Sequence, residues 1–202
     1  MEQSIQKSIT EDILNQASLL YNTTHDAISY VGGFENFVYE FMKDNKEYIL
    51  RFVHSNHRSY NLVLAEIEFI DYLAHHNAPV STVIHSVNND IVEKIVLDDD
   101  AYLSVSVFTK APGTYVKREE LNDETYKTLG RNIGLLHKLT KTFKPTHKRH
   151  AWHEENYIKE VVQYLDKKDL PIIDIHNKQV DIINAIPKNI DNYGLIHTDL
   201  HF

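Results

Sequence analysis

The spacing of apolar residues changes period once along this chain, near residue 110, and that change limits the folds open to it more than any other feature. Ahead of it lie short extended runs: Ala27 to Val31, Phe37 to Met42, Glu47 to Val53, Thr82 to Val87, Ile91 to Leu97 and Ala101 to Phe108. One helical stretch, Tyr60 to His76, interrupts them, with Leu64, Ile67, Leu73 and Ala74 on its inner face. Beyond Ala111-Pro112-Gly113 the pattern is helical, over Glu124 to Lys141, Glu154 to Lys167 and His176 to Ala185. Extended runs present alternate residues to one face, whereas helices bury a stripe at i, i+3 and i+4. The order predicts an α+β chain, a β-rich lobe followed by a helical one, joined at Thr109 to Thr114. Ligands commonly bind between two such lobes.

Local signals set the expected boundaries. Ile9, Ile13, Leu14, Ala17 and Leu20 share a face of a first helix, with Ser8 and Glu11 spaced as a capping box. Gly32-Gly33 breaks the first two strands, Lys43-Asp44-Asn45-Lys46 suits a hairpin, and Pro79 closes the Tyr60 helix. Asn88-Asn89-Asp90 and Asp98-Asp99-Asp100 read as solvated turns, the second carrying a charge cluster that a cation could also use. Gly130 and Gly134 are expected to admit a close backbone, and a short strand is expected over Gly194 to Ile196. No internal repeat is visible.

With 202 residues the chain can bury a substantial core without staples. It has no cysteine, which excludes disulfides, thiolate metal sites and cysteine nucleophiles and removes any need for an oxidising compartment. The net charge of -8 argues against a nucleic-acid partner and mildly favours a cationic substrate or a metal-nucleotide. The 12 tyrosines form no stacking stripe of the kind single-strand binders use. Met1 to Lys7 lacks a signal-peptide pattern, and no apolar run approaches the about 20 residues that span a bilayer. A cytoplasmic protein without a membrane partner is expected.

Chemistry concentrates at Gly194-Leu195-Ile196-His197-Thr198-Asp199-Leu200-His201-Phe202. Apolar residues deliver a His-x-Asp-x-His cluster, and dense ionisable groups behind a buried lead-in need partners. Two chemistries fit these residues alone. One is a metal site, since alternate positions of an extended backbone point the same way. The other is a phosphoryl-transfer loop whose Asp orients an acceptor hydroxyl. His147, His150 and His153, at three-residue spacing, offer a weaker zinc pattern inside a basic, solvated stretch.

His197-Thr198-Asp199-Leu200-His201 resembles the His-Gly-Asp-Leu-His catalytic loop of the aminoglycoside phosphotransferase/choline kinase-like family. Upstream features follow in the family's order. Gly32-Gly33-Phe34-Glu35-Asn36 resembles its nucleotide-covering turn, and Tyr48-Ile49-Leu50-Arg51 its third strand with a terminal basic residue. Glu66 sits where its helix carries the acid that pairs with that residue, and Asn77-Ala78-Pro79-Val80 resembles the closing turn. Ser104 to Phe108 with Ala111-Pro112-Gly113 resembles the hinge strand, and Leu129 to His137 the first helix of the second lobe.

The resemblance covers nearly the whole chain and implies a protein-kinase-like bilobal fold: an antiparallel N-lobe with one main helix over 1–108, a hinge at 109–114 and a partial helical C-lobe over 115–202. It implies an ATP-dependent phosphotransferase acting on a hydroxyl of a small molecule, aminoglycoside-, choline- or amino-alcohol-like, with a cationic acceptor suiting the charge. Amides around Gly32, Gly33, Phe34 and Asn36 would cover the phosphates of ATP or GTP, and Arg51, held by Glu66, would bind phosphate oxygens. Backbone groups of Ser106 and Phe108 would meet the base. Asp199 would be the catalytic base or the residue that orients the acceptor, with His197 and His201 shaping its loop. Family members continue from this loop to an Asn and an Asp that hold magnesium, whereas this sequence stops at Phe202. The resemblance thus implies truncation just after Asp199, weak nucleotide binding, little or no turnover, and self-association through uncovered faces. Two other classes stay open: a non-catalytic nucleotide-binding module of the same fold, and a metal-dependent hydrolase using His197, Asp199 and His201.

Overall fold

A computed structural model describes residues 8–33, 36–97, 100–114 and 116–197. The first helix, α1 (Glu11–Leu20), is capped by Thr10, whose Oγ1 accepts from Ile13 N at 3.4 Å, rather than by the Ser8–Glu11 box. Thr10 is extended, so its hydroxyl meets the first free amides while Glu11 and Asp12 face the positive helix end.

Strands β1 (Ile28–Gly32), β2 (Phe37–Lys43) and β3 (Lys46–His54) form an antiparallel meander. Asp44 and Asn45 turn the β2–β3 hairpin with φ of 51° and 59°, the left-handed pair whose twist matches the flanking strands. Helix α2 (Tyr60–His75) follows and ends at Asn77, φ 58°, where Ala78 N–H donates to Leu73 O. The three later strands are β4 (Val83–Ile84), β5 (Glu93–Val96) and β6 (Tyr102–Thr109). β6 inserts beside β3, and β4 and β5 share its other edge, Val83 opposite Phe108 and Glu93 opposite Val105. The run expected over Thr82 to Val87 is cut to two residues because Ser86 Oγ starts a turn, accepting from Asn88 N and Asp90 N. Asp98 and Asp99 lie outside the described residues.

Alternation along β3 and β6 feeds two cores. Leu50, Phe52, Leu103, Val105 and Val107 face α1, joining Ile13, Ala17 and Tyr21. Val53 and Phe108 face α2, joining Val63 and Ile67. Arg51 and Ser106, directly opposite each other, lie on that second face.

The second half is built differently. Helix α3 (Asp123–Thr140), capped by Asn122 Oδ1, has no buried residue among those described, and nothing stands within 4 Å of a Cβ placed on Gly130 or Gly134. Among the described residues no backbone makes the close approach expected there. The helix expected over Glu154 to Lys167 is three short pieces: 3-10 turns at Trp152–Glu154 and Val161–Tyr164 and one helical turn, α4 (Asn156–Lys159). Glu154 Oε2 folds back onto Ala151 N at 2.7 Å and Glu155 is extended, so the helix restarts instead of continuing. Helix α5 (Leu170–Ala185) begins earlier than expected, with Pro171 in its first turn. Residues 194–196 form no strand; Thr140 Oγ1 donates to Leu195 O at 3.0 Å instead. No helix of the described residues is long and apolar enough to cross a membrane.

Candidate active site

One carboxylate gathers three guanidinium groups where β3 meets α2. Arg51 Nη1 donates to Glu66 Oε1 at 2.7 Å, and Arg58 Nη1 to Oε2 at 2.7 Å. Arg149 Nη1 reaches Oε2 at 3.4 Å and Leu62 O at 3.3 Å. Burial alone would raise the Glu66 pKa, but Arg51 above all, then Arg58 and Arg149, outweigh it and hold the carboxyl below its ordinary value. Arg51 Nε and Nη2 are buried without a hydrogen-bond partner, and the guanidinium carbon lies 5.4 Å from the Phe108 ring centroid.

Gly32 and Gly33 end β1 after a register shift from Tyr30. Gly33 has φ 154°, and a Cβ on it would stand 1.8 Å from Asn36 O, so only glycine permits this turn. Gly32 faces open space. Phe34 lies outside the described residues. Ser106 and Phe108 sit within the sheet, Ser106 opposite Arg51 with a buried, unpartnered hydroxyl and Phe108 between Ile49 and Val83. Just beyond, Thr109 N donates to Thr82 O and Lys110 N to Glu47 O.

A cleft of about 1370 Å³ opens between these elements and the second half. Gly33, Asn36 and Val38 line it from the sheet, Arg58 and Ala65 from α2 and its approach, and Thr146 to Trp152 and Gly194 to Ile196 from opposite. The last segment is fixed to the end of α3: a Cβ on Gly194 would stand 2.8 Å from Thr140 Cγ2, and Lys141 Nζ donates to Asp191 Oδ1 at 2.6 Å. His197, exposed, follows lining residue Ile196 directly in the chain. Asp199 and His201 lie outside the described residues.

The two halves are held together along α2. Glu68 accepts from Thr146 N at 2.8 Å, from Thr146 Oγ1, and from His147 N at 3.1 Å, while its Oε2 lies 3.2 Å from His147 Nδ1. Burial raises the Glu68 pKa and these bonds lower it further, for a net fall. Tyr72 adds Thr142 at 2.8 Å, and Phe143 packs on Phe69 and Tyr72 at ring-centroid distances of 5.0 and 4.9 Å. With His147 committed to Glu68, the His147, His150 and His153 spacing makes no metal site; among the described residues no group of three or more His, Asp or Glu could hold one.

The structure thus pairs Arg51 with Glu66 and sets Gly33 and Asn36 in the cleft lining, and adds Arg58, Arg149 and the Glu68 clasp, which residue pattern did not single out. The run Lys144 to His150 was the available signal: a basic stretch opposite a helix bearing Glu66 and Glu68 on an otherwise apolar segment.

Residues 27–202 match the phosphotransferase enzyme family (APH). The chain belongs to that family. Over 194 residues, 95% of its length, this APH-family chain is 33% identical to the amicoumacin kinase of Bacillus subtilis (strain 168), and it spans 57% of that relative. The solved amicoumacin kinase hAmiN, in complex with AMP-PNP, Ca2+ and Ami, matches with a TM-score of 0.92 and 27% identity, over 100% of this chain and 61% of that one. A microcompartment-associated aminopropanol kinase matches in fold, with a TM-score of 0.70 at 18% identity over 93% of this chain and 61% of the other. The kinase-like α+β fold expected from the sequence is therefore the fold of this chain, and its relatives are small-molecule kinases.

Proposed function

We propose that this APH-family chain carries the nucleotide site and catalytic loop of an ATP-dependent kinase that phosphorylates a hydroxyl of a small molecule. The observation that carries this reading is the Arg51–Glu66 pair at 2.7 Å, on the sheet face beside the Gly33 turn. On this reading the chain comprises a nucleotide lobe, 1–108, a hinge, 109–114, and a helical lobe, 115–202. Amides of Gly32, Gly33, Phe34 and Asn36 cover the phosphates, and Arg51, held by Glu66 behind the cleft lining, adds positive charge toward them. Ser106 and Phe108 are interior ladder positions, so the adenine edge meets backbone groups where β6 gives way to the hinge.

In the transfer step the acceptor oxygen attacks the γ-phosphorus and the bond to the bridging oxygen breaks. ADP leaves with that electron pair, and the hydroxyl proton passes to Asp199, whose loop His197 braces. Magnesium supplies charge neutralisation in such chemistry; among the described residues no group of three or more His, Asp or Glu could hold it, and no step here runs through it. An amine-bearing alcohol suits the net charge of -8, and the relatives named for amicoumacin and aminopropanol point the same way. A cytoplasmic site would supply the nucleotide. Exposed Ile172, Ile175, Ile182 and Ile183 on α5 favour self-association, which sedimentation across a concentration series reads directly.

A thermal-shift titration with ATP and GTP, each with and without magnesium, tests the nucleotide assignment. ATP raises the unfolding temperature by an amount that grows with the logarithm of its concentration above the dissociation constant, and a flat response to both nucleotides sinks it. Wherever transfer is measurable, Asp199→Asn abolishes it while leaving the ATP-induced shift in place; retained turnover rules out Asp199 as the base.

A further inference from the structure

Arg58 and Arg149 differ from Arg51 in one respect: both line the cleft, and neither Arg51 nor Glu66 does. Glu66 carries one negative charge against three guanidinium groups, whose side chains are 16%, 28% and 27% exposed. Two positive charges are therefore left over in half-buried positions. Among the described residues no other acid forms an ion pair with Arg58 or Arg149: Glu68 accepts from Thr146 and His147, and Glu155, also on the cleft wall, lies beside His150. Lys148 lines the same wall and adds to the excess. Surplus charge withdrawn from water is unfavourable unless an anion meets it, and the planar guanidinium fork fits phosphate oxygens in pairs.

We propose that Arg58 and Arg149 form a phosphate subsite in the cleft wall that grips the terminal phosphate of the nucleotide. Arg51 stands behind them and sets their geometry through the shared Glu66. Arg149 belongs to the segment facing the sheet across the cleft, and Gly194 to Ile196 line that cleft as well. This inference deepens the nucleotide reading above and rests on it.

The test measures dissociation constants of ATP, ADP, AMP and inorganic tripolyphosphate by thermal shift, for the unaltered chain, Arg149→Gln and the Arg58→Gln/Arg149→Gln pair. Both variants keep the Arg51–Glu66 pair but lose the Arg149 bonds to Glu66 and Leu62 O, and the double variant also the Arg58 bond to Glu66, so their unfolding temperatures without ligand check that they fold. The preference for ATP over AMP should fall roughly tenfold per arginine, with AMP affinity unchanged and tripolyphosphate binding lost in the double variant. An ATP-to-AMP ratio that survives in the double variant, or equal weakening of all three nucleotides, overturns the subsite. If the unaltered chain binds tripolyphosphate through these arginines but no nucleotide, the subsite stands and the nucleotide reading falls. Binding of neither ends both.

Discussion

Phe52 on β3 and Ile175 on α5 are both large apolar residues on regular elements, yet Phe52 is wholly buried and Ile175 is 61% exposed. The sheet half places two layers of alternating side chains under two helices and closes around them. In the helical half, α3 has no buried residue among those described and α5 presents isoleucines outward. The halves therefore cohere by different means. The first is held by apolar burial; the second is fastened to the first by polar bonds and rings along α2, chiefly at Glu66, Glu68, Tyr72 and Phe143.

Substitutions graded across that divide can break or sharpen this picture. Phe52→Ala should cost about 3–5 kcal/mol, a cavity in a core that cannot collapse; urea unfolding that shows under 1 kcal/mol would mean the sheet half is loosely packed after all. Glu66→Ala should cost about 3 kcal/mol by leaving three arginines without their anion. Because the folded Glu66 pKa is depressed, its contribution is complete above the ordinary carboxylate range and is lost as pH falls through the folded value. The gap between Glu66→Gln and the unaltered chain should accordingly narrow from about pH 7 to about pH 3; a constant gap contradicts the ion-pair account. Glu68→Gln, which weakens the clasp on Thr146 and His147, should cost about 1–2 kcal/mol. It should also speed proteolysis after residue 116 ahead of the sheet, which equal cleavage of both halves would refute. Ile175→Asp should change the stability of the dilute chain by less than about 0.5 kcal/mol while weakening the self-association read by sedimentation; a large loss in dilute solution would show that this face packs within the fold.

The same divide separates what was legible in the sequence from what was not. Period-two runs locate β1, β2, β3 and β6 almost to the residue, because burial on a pleated face leaves a two-residue signature that turn residues such as Asp44-Asn45 punctuate. From Glu154 to Lys167 helical spacing is present without a core to enforce it, and the Glu154 carboxylate capping Ala151 N wins locally. At the site, Arg51 and Glu66 could be placed through the ordered motifs around them. Arg58 and Arg149 could not, since each reaches Glu66 from a separate irregular segment, and irregular backbone has no period to read.

β6 closes the sheet last in sequence but lies between β3 on one side and β4 and β5 on the other. During synthesis, the β1–β3 meander can form from local contacts as soon as it emerges, while the β3 edge waits, open, through the whole of α2, β4 and β5. Only when residue 109 is free of the ribosome can that edge be sealed, and such non-local closure is the slow, aggregation-exposed step of β-sheet folding. The vulnerable moment in this chain's life is thus set by strand order: it is the interval in which β3 is made and β6 is not.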